Sequence, residues 1–252
     1  MKTRIYTTPK AGLEDFQNED AVAVNPAGAA ALLIRVADGA STGVFSREWS
    51  RHLCHNFEAD WIQSEQHFED GLENLRESFQ PEITRPSALR KFLMEGSYAT
   101  LLTALVQKTD ATADTALQLT LFAVGDVNLF VFNRAGEPMF TFPYKAMRDF
   151  NNVPDLIRSK AALQAKTPYK IAQAEISSQP DELIVMATDA LSEFLFKTVS
   201  SGNHPNKLLK MLQCKDDMAF KEVIDTFRNA EGMKNDDVAV CFLTARPDLY
   251  FV

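Results

Sequence analysis

Cysteine is scarce in this sequence. Only Cys54, Cys214 and Cys241 occur in 252 residues, and their odd number and wide spacing fit no disulfide framework. We therefore expect reduced thiols in a cytoplasmic protein. His52 and His55 flank Cys54, but no second group of ligands follows elsewhere, so a helix packing face is favoured over a zinc site.

Long apolar runs and an excess of basic residues are also missing. No run approaches the length that crosses a bilayer, and the opening Met1–Ile5 lacks the apolar core of a signal peptide. The chain has 26 Lys and Arg against 34 Asp and Glu, a net charge of −8. Because no basic excess is available to neutralise phosphates, we expect neither nucleic acid nor an anionic membrane as a partner.

The remaining composition is that of an ordinary globular protein, with 46% hydrophobic and 24% charged residues. No internal repeat, linker or low-complexity tract divides the chain, which favours a single domain over residues 1–252. Predicted strands and helices are segregated rather than strictly alternating, and this pattern indicates an α+β fold with mostly antiparallel sheets.

Periodicity predicts the individual elements. Apolar, β-prone runs predict two strands within 1–25 and further strands over 32–38, 117–124, 129–132, 139–142, 171–176, 183–188 and 238–243. Helical spacing predicts helices from Ser46 to about Trp61 and over 67–80, 87–106, 190–199, 206–213 and 218–228. Residues 109–115 are a predicted polar turn, and a short helix is predicted after Pro154.

Acidic residues recur at the ends of the predicted strands. Asp38-Gly39 follows the apolar run from Leu32, Asp126 and Asp189 end two later runs, and Asp236 precedes the last strand. Asn18-Glu19-Asp20 precedes an early strand in the same way. A single Asp at a strand end is usually a cap or turn residue. Five such clusters in one chain predict one shared acidic site, whose carboxylate and carbonyl oxygens suit a hard divalent cation.

These motifs, in this order, resemble the metal-dependent protein phosphatases of type 2C. The series is Asn18-Glu19-Asp20-Ala21, Val36-Ala37-Asp38-Gly39, Val124-Gly125-Asp126, Ala187-Thr188-Asp189-Ala190 and Asn235-Asp236-Asp237-Val238. The resemblance runs from about residue 10 to 245 and is greatest to the bacterial branch, in which Thr-Asp-Ala can replace the Ser-Asp-Gly common elsewhere. It implies a four-layer α-β-β-α sandwich, with two mostly antiparallel sheets flanked by helices.

The resemblance also implies a role for each acidic residue. Asp38 would bridge two Mn²⁺ or Mg²⁺ ions, with the Gly39 carbonyl binding one of them. Asp189 and Asp236 would each ligate a metal, and together with Asp38 they would form the catalytic set. Glu19 and Asp20 would hold metal-bound waters or ligate at the rim, and Asp126 would contribute to a third, weaker metal site.

The implied reaction is hydrolysis of phosphoserine and phosphothreonine. Two cations close together lower the pKa of a bridging water, so that hydroxide is available near neutral pH to attack phosphorus. No protein nucleophile is needed. The implied partners are a phosphorylated protein substrate and a cognate Ser/Thr kinase in a signalling pathway.

Several positions depart from the family pattern, and two of them bear directly on the chemistry. Asp15 stands where many members carry an Arg that grips the substrate phosphate, which leaves Lys10 or Arg47 as substitutes. Ala40 stands where some members have a His as general acid, so a metal-bound water would have to protonate the leaving group. These departures favour an alternative: a pseudophosphatase that binds phosphoproteins without turnover. A nuclease is a further alternative, and the acidic net charge opposes it.

Overall fold

The structure is a computed structural model that describes residues 1–109, 115–150, 153–166 and 168–250. The predicted turn at 109–115 therefore lies mostly outside the described residues. The described part contains eleven strands, and every pairing between them is antiparallel. The strands are β1 (Lys2–Thr8), β2 (Ala21–Pro26), β3 (Ala31–Gly39), β4 (Tyr98–Lys108), β5 (Leu117–Val124), β6 (Asn128–Phe132), β7 (Pro138–Phe142), β8 (Ile157–Arg158), β9 (Ala172–Ser178), β10 (Leu183–Ala187) and β11 (Val238–Thr244).

Eight α-helices lie within the same residues. They are α1 (Ser46–Asn56), α2 (Glu65–Ser78), α3 (Pro86–Glu95), α4 (Ala161–Gln164), α5 (Asp189–Ser200), α6 (His204–Leu212), α7 (Asp217–Glu231) and α8 (Pro247–Tyr250). None of these helices is both long enough and apolar enough to cross a membrane.

The strands form two sheets that pack face to face. The first sheet has the order β1-β11-β10-β6-β7, and the second has the order β2-β3-β4-β5-β9 with β8 paired to β4. Apolar side chains from both sheets, such as Val36, Leu102, Met186 and Cys241, fill one core between them. This burial removes the apolar faces of both sheets from water and holds the sandwich together.

Helices cover the two outer faces. Phe220 of α7 and Leu191 of α5 pack with Phe130 of the first sheet, and Trp49 of α1 and Phe68 of α2 pack with strands of the second. The result is a four-layer α-β-β-α sandwich with antiparallel sheets, so the predicted α+β fold is confirmed. All three cysteines are buried and free.

The prediction of one long helix over 87–106 is wrong. The helix ends at Glu95, where Gly96 takes a positive φ of 73° and donates its N–H to the Phe92 carbonyl. The chain then enters β4, which is central in its sheet and buried on both faces. A strand buried on both faces has no polar alternation, so its apolar run cannot be told from a buried helix by period.

Other boundaries differ less. α1 ends at Asn56, because Phe57 turns to extended backbone, and Trp61 lies in a separate 3-10 turn over 59–62. The Phe57 and Trp61 rings are nonetheless in contact, with centroids 5.3 Å apart. The short helix predicted after Pro154 is α4, which follows the two-residue strand β8.

Candidate active site

Four of the predicted ligand carboxylates line one cleft of about 430 Å³. Asp38 lies at the end of β3, Asp126 in the turn between β5 and β6, Asp189 at the start of α5, and Asp236 just before β11. Gly39 lines the same cleft. The strand ends of both sheets therefore meet at one edge of the sandwich, and residues distant in sequence become neighbours.

Gly39 is required at its position by the closeness of the backbone around it. A Cβ atom built there would come within 2.6 Å of the Glu19 carbonyl oxygen and 2.9 Å of the Ser46 carbonyl oxygen. No side chain fits this space. The segment containing Glu19 and Asp20 therefore passes directly against the end of β3, and any larger residue would push the two apart.

Asp20 and Asp126 are buried and incompletely hydrogen-bonded. Their exposed fractions are 4% and 5%, and within the described structure Asp20 Oδ2 and Asp126 Oδ1 have no hydrogen-bond partner. Burial, followed by the charge of Asp189, raises the pKa of Asp126 to about 7. Burial and the neighbouring carboxylates also raise the pKa of Asp20 and of Asp38 well above the ordinary range.

Asp189 and Asp236 instead pair with lysines. Lys234 Nζ lies 2.6 Å from Asp189 Oδ2 and 3.0 Å from Asp236 Oδ2. Lys10 Nζ lies 3.0 Å from Asp236 Oδ1. Burial alone would raise the pKa of Asp236, but hydrogen bonds from the two lysines lower it below its ordinary value. Burial would likewise lower the pKa of Lys234, yet Asp189 and Asp236 raise it well above the usual lysine value.

Sequence reasoning missed two residues that organise this edge. Lys234 is one, since a lysine in a loop ordinarily indicates only a solvated surface charge. Asp237 is the other: its Oδ1 accepts the Lys10 N–H at 2.8 Å, and its Oδ2 accepts the Glu19 N–H at 2.9 Å. Asp237 therefore holds both ends of the loop between β1 and β2 against the start of β11. In the sequence, the adjacent pair Asp236-Asp237 is the feature that could have indicated a second functional carboxylate at this position.

The carboxylate oxygens of the cleft fit a hard divalent cation, although the described side chains do not already form a complete metal-binding group. Across the described residues, no three His, Cys, Asp or Glu side chains are arranged closely enough to hold a metal as they stand. The side chains that line the cleft nevertheless supply carboxylate oxygens, which Mg²⁺ and Mn²⁺ prefer over nitrogen or sulfur. The unpartnered oxygens of Asp20 and Asp126 are suited to a cation, because a buried carboxylate oxygen without a partner is costly.

The departures from the family pattern have clear positions. Asp15 is exposed on a 3-10 turn, and Ala40 lines the cleft. Lys10 Nζ reaches the site, where it also donates to Ser41 Oγ at 2.9 Å. Arg47 lines a separate depression along α1. Of the two substitutes for the missing Arg, only Lys10 is placed at the carboxylates in the described structure.

The residues that a zinc site would use lie on α1. The Cys54 thiol donates to the Ala21 carbonyl, and the His52 ring stacks on Trp49 with centroids 5.8 Å apart. These contacts are those of a helix packing face.

Neither a protein-family model nor the sequence of a curated protein matches this chain. Solved structures do match it. The photosystem II phosphatase PBCP aligns over 97% of this chain and 99% of its own, with a TM-score of 0.58 and 16% identity. The serine/threonine phosphatase Stp1 from Staphylococcus aureus aligns over 96% of this chain and 94% of its own, with a TM-score of 0.59 and 12% identity.

The chain has the fold of a serine/threonine phosphatase. RsbX, solved in complex with magnesium, is a third similar structure, with a TM-score of 0.51 and 15% identity over 95% of this chain and 92% of its own. The resemblance given by the strand-end motifs is thus confirmed at the level of the fold. At these identities the likeness concerns the architecture of the chain.

Proposed function

We propose that this chain is a metal-dependent phosphoprotein phosphatase that hydrolyses phosphoserine and phosphothreonine with Mn²⁺ or Mg²⁺. The observation that carries the proposal is the single cleft lined by Asp38, Asp126, Asp189 and Asp236, each from a different element. The similar proteins PBCP and Stp1 are phosphatases, and RsbX was solved in complex with magnesium; these likenesses support the same reaction class.

Each acidic residue at the cleft would have a separate role. Bound cations would supply the charge that activates a water and offsets charge on the phosphoryl oxygens. Two cations would be held by Asp38, Asp189 and Asp236, with the Gly39 carbonyl as a further ligand. The buried Asp20 would hold metal-bound waters or ligate at the rim, and Asp126 would ligate a third cation. Lys10 would orient the substrate phosphate from the rim.

The proposed partners follow from the reaction. The substrate would be a phosphorylated protein, and a cognate Ser/Thr kinase would supply it. We propose a signalling role in the cytoplasm.

A pseudophosphatase that binds phosphoproteins without turnover is the second candidate. It is favoured by the lysines that already pair with Asp189 and Asp236, and by Ala40, which has no proton to give to the leaving group. In that case, the cleft would recognise phosphate as an anion through Lys10 and Lys234.

One experiment separates the two candidates. Hydrolysis of phosphoserine and phosphothreonine peptides, and of an aryl phosphate, is measured with Mn²⁺ or Mg²⁺ and again with excess chelator. Turnover that the chelator abolishes supports the phosphatase. Phosphopeptide binding without turnover under any metal would refute it and support the pseudophosphatase.

A further inference from the structure

The Lys234 ammonium lies between Asp189 and Asp236, two carboxylates that the proposed metal centre would use. Its Nζ lies 2.6 Å from Asp189 Oδ2 and 3.0 Å from Asp236 Oδ2, both of which belong to the cleft. A monovalent ammonium is thus already bound where a divalent ion would have to bind. The two cations compete for the same oxygens, because neither carboxylate can serve both at full strength.

Hydrogen bonds hold the two carboxylates in place, whereas the Lys234 side chain is free to move at its charged end. Asp236 Oδ1 accepts the Asp237 N–H at 3.0 Å, and Asp189 Oδ1 accepts the Ala190 N–H at 2.5 Å. The Lys234 side chain is 48% exposed and follows buried Met233, whose N–H bonds to the Phe227 carbonyl. The ammonium can therefore swing out to water without any movement of α5 or of the start of β11.

A second observation points to a cation of higher charge. The unpartnered Asp20 Oδ2 and Asp126 Oδ1 belong to side chains that are more than nine-tenths buried, and Asp126 lines the same cleft. Lys234 leaves both atoms unsatisfied. A divalent ion prefers six or more oxygen ligands, so it gains from further carboxylate oxygens that the single ammonium does not use.

We propose that Lys234 is a built-in counter-cation that occupies the Asp189–Asp236 position until a divalent ion displaces it, and so sets the metal affinity of the site. The inference rests on the proposed metal-dependent function. It makes Lys234 a determinant of metal affinity, not a group that touches the reacting phosphate.

The test compares Mn²⁺ binding by titration calorimetry in the wild type and in Lys234→Met, Lys234→Arg and Lys215→Met. Lys215→Met removes the same charge from an exposed site between α6 and α7. We expect Lys234→Met to bind Mn²⁺ about tenfold more tightly than the wild type, a difference of about 1.4 kcal/mol. Lys234→Arg keeps the cation and Lys215→Met keeps the lysine, so both should bind as the wild type does.

Thermal unfolding gives an independent readout. In chelator, Lys234→Met should melt below the wild type, because Asp189 and Asp236 lose their shared counter-charge; with Mn²⁺ it should gain more than the wild type does. Equal Mn²⁺ affinity in wild type and Lys234→Met would overturn the inference and leave the metal-dependent function standing. If neither protein bound Mn²⁺ or Mg²⁺, both the inference and the proposed function would fail.

Discussion

The acidic residues at this edge of the sandwich divide into two halves that differ in their charged partners. Asp189 and Asp236, the lysine-paired half, are neutralised by Lys234 and Lys10. Asp20, Asp38 and Asp126, the unpaired half, form no ion pair with Lys or Arg within the described residues, and their pKa values are raised. Like charges without partners favour protonation and oppose folding. Within the described structure, lysines therefore stabilise only the Asp189 and Asp236 half of the site.

The largest effect is expected from removing Asp38, which would bridge the metals of both halves. Asp38→Ala should lower Mn²⁺-dependent phosphatase turnover by several orders of magnitude, and Asp189→Ala should do the same from the other half. Single-turnover and steady-state assays on phosphopeptides measure the loss. Asp60→Ala, on the exposed 3-10 turn after α1, is the matched control. Wild-type turnover in a well-folded Asp38→Ala would show that the metal assignment is wrong.

Neutralising one carboxylate in each half should shift stability in opposite directions. In chelator, Asp38→Asn removes a repelling charge and should raise Tm, whereas Asp236→Asn removes two lysine pairings and should lower it. About 1 kcal/mol corresponds to roughly 2–4 °C in a domain of this size. Asp38→Asn should also gain less from added Mn²⁺ than the wild type does. Differential scanning calorimetry with and without Mn²⁺ decides; shifts of the same sign would remove the distinction between the halves.

The unpaired half should also respond to pH in its own way. The pKa of Asp126 is about 7 in the folded protein, chiefly because of burial and then because of Asp189, while the unfolded chain titrates near pH 4. Between these values the folded state binds more protons, so the Asp126 contribution to stability falls as pH rises. Asp236, whose pKa is lowered, contributes in the opposite sense: its stabilisation is lost as pH falls through the folded pKa.

Asp126→Asn tests this directly. In chelator, its Tm relative to the wild type should be higher at about pH 7.5 than at about pH 5, because only the wild type carries the destabilising charge at the higher pH. Parallel Tm curves for the two proteins across this range would mean that Asp126 is not the buried, raised group described above.

The smallest effect is expected at the rim. Lys10→Met should raise KM for phosphopeptides about fivefold with little change in kcat, because a rim lysine that orients phosphate contributes about 1 kcal/mol of uniform binding. Arg47→Met, in the separate depression along α1, should leave KM unchanged. Steady-state kinetics separate the two. The reverse pattern would place phosphate recognition at Arg47.

The strand-end carboxylates could be predicted because their chemistry and their position coincide in sequence. An Asp next to an apolar run, repeated along the chain, indicates a carboxylate at the end of a strand, and Asp38, Asp126, Asp189 and Asp236 do meet at one cleft. The fold class followed from the segregation of helices and strands. The wrong helix over 87–106 shows the limit, since β4 owes its state to neighbours on both sides that periodicity does not reveal.

Lys234 could not be predicted for a different reason. Its importance comes from tertiary proximity, because the end of α7 lies beside the start of α5 only in the folded chain. The role of Asp237 likewise depends on the fold, since the two N–H groups that donate to it belong to residues more than 200 positions earlier. Local sequence indicates which residues are charged, and the fold decides which charges meet.

The pairing of β1 with β11 has a consequence for synthesis on the ribosome. Among the described strands, β1 (Lys2–Thr8) pairs only with β11 (Val238–Thr244), and Asp237 binds the loop after β1 at the same place. During synthesis β1 therefore lacks its partner strand until β11 has left the exit tunnel. Closing so long a loop is a late and slow event. The cleft is therefore completed only after β11 has emerged, because Asp236, which lines it, directly precedes that strand.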